Sequence, residues 1–211
     1  MNSFLYKVND KEYEVVVTYK RVRNINYRFK DGKFVVSCNR FVGKGQIVSG
    51  LDKFAERLIK SSTKPVPIKE NGMFIYGQFY ELTYPGTVDF GYGELSYKDN
   101  DDLLNKLKPI FKKYVTERVR YYEKLMNVES YNVRVQKMKT RFGSNSKRTK
   151  TLNFGLSLIH FDPGVIDSVV VHELAHILVF DHSKKFYDVV YRYCPDYPKY
   201  RKMLVKGVYH A

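Results

Sequence analysis

Tryptophan is absent from the 211-residue chain, and cysteine is confined to Cys38 and Cys194. Two thiols that far apart have no metal-ligand spacing and cannot build a disulfide framework, so both read as ordinary reduced cysteines. No run approaches the roughly 18 apolar residues of a membrane span. The opening residues Met1 to Lys7 also lack the apolar stretch of a signal peptide. A soluble, cytoplasmic protein with no membrane partner is the expectation. Internal repeats and low-complexity tracts are missing too, which excludes solenoid and fibrous architectures.

Acidic residues are scarce relative to basic ones. Asp and Glu number 22 against 37 Lys and Arg, a net charge of +15. Such a balance permits nucleic acid, anionic surfaces or acidic substrates as partners and says little about fold. What is present suits a globular protein: 44% of the residues are hydrophobic and 16% aromatic. A chain of this length can bury about 70% of its unfolded surface, so its core needs no staples.

The first hundred residues read mainly as strands. Asn9-Asp10 separates residues 4–8 from 12–20, and Asp31-Gly32 separates 26–30 from 33–38; both residues of an Asp-Gly turn tolerate positive φ. Turns at Asn71-Gly72 and Pro85-Gly86 bracket 74–82, whose central Gly77 suggests a bulge. One helix interrupts the strands: Leu51, Phe54, Ala55, Leu58 and Ile59 share a face, with Ser49 and Asp52 as its capping pair and Pro65 and Pro67 as its end. Helical spacing takes over from Asp101 to about Asn127, with Pro109 as an expected kink or break. Two strand-like runs follow, 132–138 and 151–154, with the polar segment Gly143 to Lys147 read as a loop. Asp162-Pro163 has the form of an N-cap followed by proline at the first helical position. From there residues 165–180 can run as one buried helix, and Ser183 can cap the next. The expected fold class is α+β, with a strand-rich antiparallel N-terminal region (1–98) and a helix-bearing catalytic region (99–211).

The helix after Pro163 contains Val170-Val171-His172-Glu173-Leu174-Ala175-His176. Side chains four residues apart point the same way from adjacent turns, so His172 and His176 can hold one metal ion. Glu173 lies about 100° around the helix, within reach of a water on that ion without being a ligand. This is the zinc-hydrolase pattern. Two imidazoles and a carboxylate on an otherwise apolar helix are costly to bury without a partner, and a metal suits all three. Zinc lowers the pKa of a bound water from about 15.7 towards about 7, leaving Glu173 to take the proton and pass it to the leaving group. Arg141, Tyr187, Tyr191 and His160 are candidates to steady the oxyanion.

A catalytic zinc needs a third protein ligand. No glutamate follows Glu173, so His182 is the main candidate, with Asp181, Asp188 and Asp196 behind it. An uninterrupted helix would carry His182 about 120° away from His176 and roughly 9 Å further along the axis. The helix must therefore stop near Phe180 and turn.

The segments Lys139-Thr140-Arg141-Phe142-Gly143-Ser144, Leu152-Asn153, 169–176 and Asp181-His182-Ser183-Lys184-Lys185-Phe186 together resemble the YgjP-like metallopeptidase domain family, itself similar to the SprT-like and WLM zinc peptidases. The resemblance spans roughly residues 130–205. It implies a zincin-like fold, a peptide or protein substrate, zinc held by His172, His176 and His182, and Glu173 as general base. The family pattern has tryptophan and cysteine where this chain has Phe142 and Asn145.

Between Tyr131 and Phe161 lie Arg134, Lys137, Lys139, Arg141, Lys147, Arg148 and Lys150 without a single acidic residue. By analogy with zincin-like folds, residues 151–154 can form one wall of the cleft and pair with an extended substrate. The basic stretch 134–150 would then favour an acidic peptide, a nucleic acid or a phosphate-bearing substrate. Two other functions compete with a zinc metallopeptidase: a zinc-dependent hydrolase of phosphoanhydrides such as nucleotides, and a nucleic-acid-associated protein whose zinc is structural.

Overall fold

The structure, a computed structural model, describes residues 2–62, 66–91, 93–129, 131–138 and 140–210. Pro65 and Lys139 lie outside them. The chain divides into two compact units, residues 1–64 and 65–211, each with its own hydrophobic core.

In the first unit, β1 (Asn2–Val8), β2 (Lys11–Tyr19), β3 (Asn26–Lys30) and β4 (Lys33–Cys38) form one sheet in the order β1-β2-β4-β3. The Asp31-Gly32 turn takes φ of 51° and 75°, the left-handed pair that a two-residue hairpin requires. β2 and β4, however, pair in parallel. Helix α1 (Lys44–Ser62) covers the sheet with Ile47, Leu51 and Ala55. It starts five residues before Ser49, the expected cap. Ile47 extends the buried face back by one turn, and the Gln46 side chain accepts the Gly43 N–H in place of a serine.

The second unit opens with β5 (Ile68–Lys69), β6 (Gly72–Ile75) and β7 (Gln78–Glu81) in a small antiparallel sheet, then the hairpin of β8 (Gly86–Asp89) and β9 (Glu94–Tyr97). Gly77 makes a turn rather than a bulge: Tyr76 and Gly77, at φ of 50° and 81°, join β6 to β7. A Cβ on Gly77 would meet Asp162 Cα and the Tyr209 carbonyl, each at 3.0 Å. The bare glycine therefore lets the hairpin tip press onto the segment that begins the motif helix. Met73, Ile75 and Tyr97 share the core of this unit with the later helices.

Helix α2 (Asn100–Met126) is continuous through Pro109. Proline there is exposed, so the lost backbone bond faces solvent. The buried stripe of Leu103, Leu107, Phe111, Val115 and Val119 continues on both sides of it. Asp99 caps the start through the Asp102 N–H, and Asn127, left-handed at φ 51°, closes the end.

β10 (Asn132–Gln136), β11 (Gly143–Ser146) and β12 (Thr151–Gly155) form the sheet β10-β12-β11. Two expectations change here. Residues 143–146 are a strand, not a loop, because they pair antiparallel with β12. β12 is also central, bonded by β10 on one side and β11 on the other, so residues 151–154 offer no open edge to a substrate. The edge strands are β10 and β11, and of the two β11 packs against α3. A 3₁₀ turn (Leu156–His160) leads into α3 (Pro163–Leu178), followed by α4 (Lys184–Tyr193) and α5 (Tyr197–Lys206). As the sequence predicts, Asp162 caps α3, accepting from the Gly164 N–H at 2.8 Å, with Pro163 in the first turn. The result is a mixed α+β protein with strands gathered early and helices late. Among the described residues no helix is long and apolar enough to cross a membrane.

Candidate metal centre

α3 is apolar on nearly every face and packs against α2, α4, α5 and β11. Its polar exceptions are therefore held in fixed places. The helix ends at Leu178, and Val179 leaves it in an extended conformation. That exit, two residues earlier than expected, lets the chain double back and bring His182 beside the first two histidines. One ring nitrogen from each of His172, His176 and His182 falls within 4.8 Å of the others. His172 Nε2 and His182 Nε2 are 3.3 Å apart. That separation matches the edge of a tetrahedron with arms of about 2.0 to 2.1 Å, the usual zinc to imidazole distance.

The aromatic ring of Phe186, fully buried on α4, sets the floor of the cluster. Its centroid lies 5.0, 4.6 and 4.9 Å from those of His172, His176 and His182. Behind His172, Tyr197 of α5 stacks at 5.9 Å with an interplanar angle of 7°, and its hydroxyl is 2.8 Å from Nδ1. Burial pushes the Tyr197 hydroxyl up to about 12, so it stays a neutral phenol. Burial, followed by the neighbouring His176 and His182 and by Arg201, pulls His172 down to about 3. His176 is lowered as well, again first by burial. A neutral imidazole with a hydrogen-bonded outer nitrogen, as in His172, is the form that ligates a cation, and the convergence of three imidazoles makes a donor set that fits a divalent metal.

Glu173 is buried on the flank of this cluster. Burial raises its pKa to about 8, and the charge of Arg141 partly opposes that shift. β11 runs directly beside it. A Cβ on Gly143 would approach Glu173 Oε1 to 2.5 Å, so only the absence of a side chain lets strand and carboxylate lie so close. Two residues on, the Asn145 side-chain amide donates to the Glu173 backbone carbonyl at 2.8 Å. The three histidines and Glu173 open into one cleft of about 630 Å³, walled by β11 on one side and by α5 with Tyr197 and Arg201 on another.

The other sequence candidates distribute differently. Arg141 lines the cleft. His160 does not: it is buried away from the cluster, and its Nδ1–H donates to the Phe74 carbonyl at 2.6 Å. Tyr187 and Tyr191 stack on each other beside the cleft without lining it. Asp181, Asp188 and Asp196 are exposed and stand outside the donor cluster. Tyr197, Arg201 and the wall made by Gly143 and Asn145 had no assigned role in the sequence, because no local spacing links them to the motif helix.

The basic stretch does not form one wall. Lys137 pairs with Asp101, Lys150 with Glu129, and Lys147 lies over the Phe180 ring. Of the described basic residues in that stretch, Arg141 alone lines the cleft.

No curated protein matches the sequence. Two solved metallopeptidase zymogens are similar to part of it. Jannalysin from Methanocaldococcus jannaschii is 23% identical, with a TM-score of 0.41 over 44% of this chain and 96% of its own. Abylysin from Pyrococcus abyssi is 16% identical, with a TM-score of 0.39 over 46% of this chain and 99% of its own. The model of the YgjP-like metallopeptidase domain matches residues 39–206, and on that match the chain belongs to the YgjP-like metallopeptidase family.

Proposed function

We propose that the protein is a zinc-dependent peptidase of zincin-like architecture, with His172, His176 and His182 holding the ion and Glu173 as general base. Membership of a metallopeptidase family implies a catalytic metal and a peptide or protein substrate. The observation that carries the finer reading is the convergence of three imidazole nitrogens within 4.8 Å beside a buried carboxylate. Zinc suits an all-imidazole set with an open fourth position. When bound, it supplies the Lewis acidity that makes water acidic near neutral pH.

The residues do the rest. Phe186 and Tyr197 hold the imidazoles in place, and Tyr197 fixes the tautomer of His172 by accepting from its Nδ1–H. The Glu173 carboxylate, buried beside the histidines, takes a proton from water and hands it to the leaving amine. A cation at the histidines draws its pKa back down, so the base is ionised when the metal is in place. β11, the edge strand of its sheet that lines the cleft, offers backbone groups along which an extended peptide can lie. We assign this chemistry to the region 99–211; β6 and β9, from residues 65–98, complete its core.

Metal analysis of the purified protein beside His182→Ala tests the ligand set. About one zinc per chain is expected in the wild type and a clear loss of affinity in the variant. Full zinc affinity without His182 would remove it from the set. A nucleoside triphosphate panel assayed in parallel separates peptide hydrolysis from phosphoanhydride hydrolysis, and retention on DNA or RNA that weakens with salt would point to nucleic acid.

A further inference from the structure

Among the described residues, two cations reach the cleft from separate elements. Arg141 sits in the turn that enters β11, two residues before Gly143, and Arg201 sits one helical turn beyond Tyr197 on α5. Both line the same cleft as the three histidines and Glu173. Neither side chain forms an ion pair or a hydrogen bond with any described residue. Elsewhere in the unit Arg118 forks onto Asp167, and Lys106, Lys137 and Lys150 each hold a carboxylate. The cleft itself contains one acidic side chain, Glu173, which is buried against Gly143 and Asn145. Two exposed guanidinium forks, each with five donors, thus line the cleft without a hydrogen bond to an acceptor of the protein.

We infer that Arg141 and Arg201 recognise a carboxylate of the substrate, and that the enzyme selects peptides carrying one next to the bond it cleaves. This rests on the peptidase reading above and adds its substrate class. A planar guanidinium matches a carboxylate through two parallel hydrogen bonds, which gives orientation as well as attraction. Reaching the cleft from two separate elements, the pair seats such a peptide with its scissile bond over the histidines. The carboxylate can come from an Asp or Glu side chain or from the free C-terminus, and the two sources are separable by experiment.

The test uses zinc-loaded full-length protein and four peptides of one sequence, with Glu or Gln beside the scissile bond and a free or amidated C-terminus. The wild type is expected to prefer Glu over Gln, or free over amidated ends, by about tenfold or more in kcat/KM. That ratio should fall towards one in Arg141→Gln and Arg201→Gln, and stay at the wild-type value in Lys108→Gln, an exposed site on α2. Equal turnover of all four peptides by the wild type, or an unchanged ratio in both arginine variants, would overturn the inference. If zinc-loaded wild type cleaves none of the peptides, the peptidase reading fails instead. Binding of the same peptides to Glu173→Gln then decides the arginine assignment: a charge preference lost on removal of either arginine upholds it, and indifference to charge overturns it.

Discussion

Gly143 of β11 lies against the carboxylate of Glu173 on α3 so closely that a Cβ on the glycine would stand 2.5 Å from Oε1 and 2.9 Å from both Cγ and Cδ. The glycine needs no unusual backbone angle; its role is to leave room. Gly143→Ala must push either the strand or the carboxylate away, and the carboxylate is the softer of the two. Turnover should fall by about tenfold or more with KM little changed, because a base displaced by an ångström loses its alignment with the water. Stability should drop by about 1 to 3 kcal/mol, the range for overpacking a tight site. Steady-state kinetics and a thermal melt on the same sample check both numbers; full activity would show that Glu173 has slack around it.

The Tyr197 hydroxyl, 2.8 Å from His172 Nδ1, is the outer partner of a proposed ligand. Tyr197→Phe keeps the stacked ring and removes only that oxygen. Outer partners of metal ligands commonly contribute 10- to 100-fold in affinity. Competition with a chelator should therefore show zinc held about tenfold more weakly, while the fold and the cleft remain. Unaltered zinc affinity would reduce Tyr197 to a packing residue.

His160 sets a pH dependence away from the metal centre. Its pKa is lowered from 6.5 by burial, with the hydrogen bond to the Phe74 carbonyl opposing the shift. Below about pH 6.5 the unfolded chain takes up a proton there that the folded protein refuses, so stability is lost as pH falls through that window. The slope from one such group is at most about 1.4 kcal/mol per pH unit. Urea unfolding at pH 7.5 and 5.5 should show a larger loss on acidification in the wild type than in His160→Asn, whose amide can still donate to Phe74. Identical losses would place the acid sensitivity elsewhere.

Much of this molecule is legible in its sequence because the signals are local. The spacing of His172 and His176, the Asp162-Pro163 start of α3 and the Asp31-Gly32 hairpin each rest on a few adjacent residues with strong conformational preferences. β11 is not legible: Gly-Ser-Asn-Ser has turn composition, and it becomes a strand only because β12 pairs with it and α3 packs over it. Tyr197 is hidden for another reason. It reaches His172 across 25 residues of sequence, through the turn after α3 and the packing of α5, and no periodicity marks that approach. The basic stretch errs in the other direction, since residues contiguous in sequence face different ways once β10 and β11 are formed.

In the proposed mechanism Glu173 moves the proton while the histidines hold zinc, and zinc-loaded Glu173→Gln tests this division of roles most directly. Its zinc content and its rate of peptide cleavage should be measured on one preparation. About one zinc per chain with turnover reduced by about 10² to 10⁴ is the predicted result. Near wild-type cleavage by the zinc-loaded variant would contradict Glu173 as the general base.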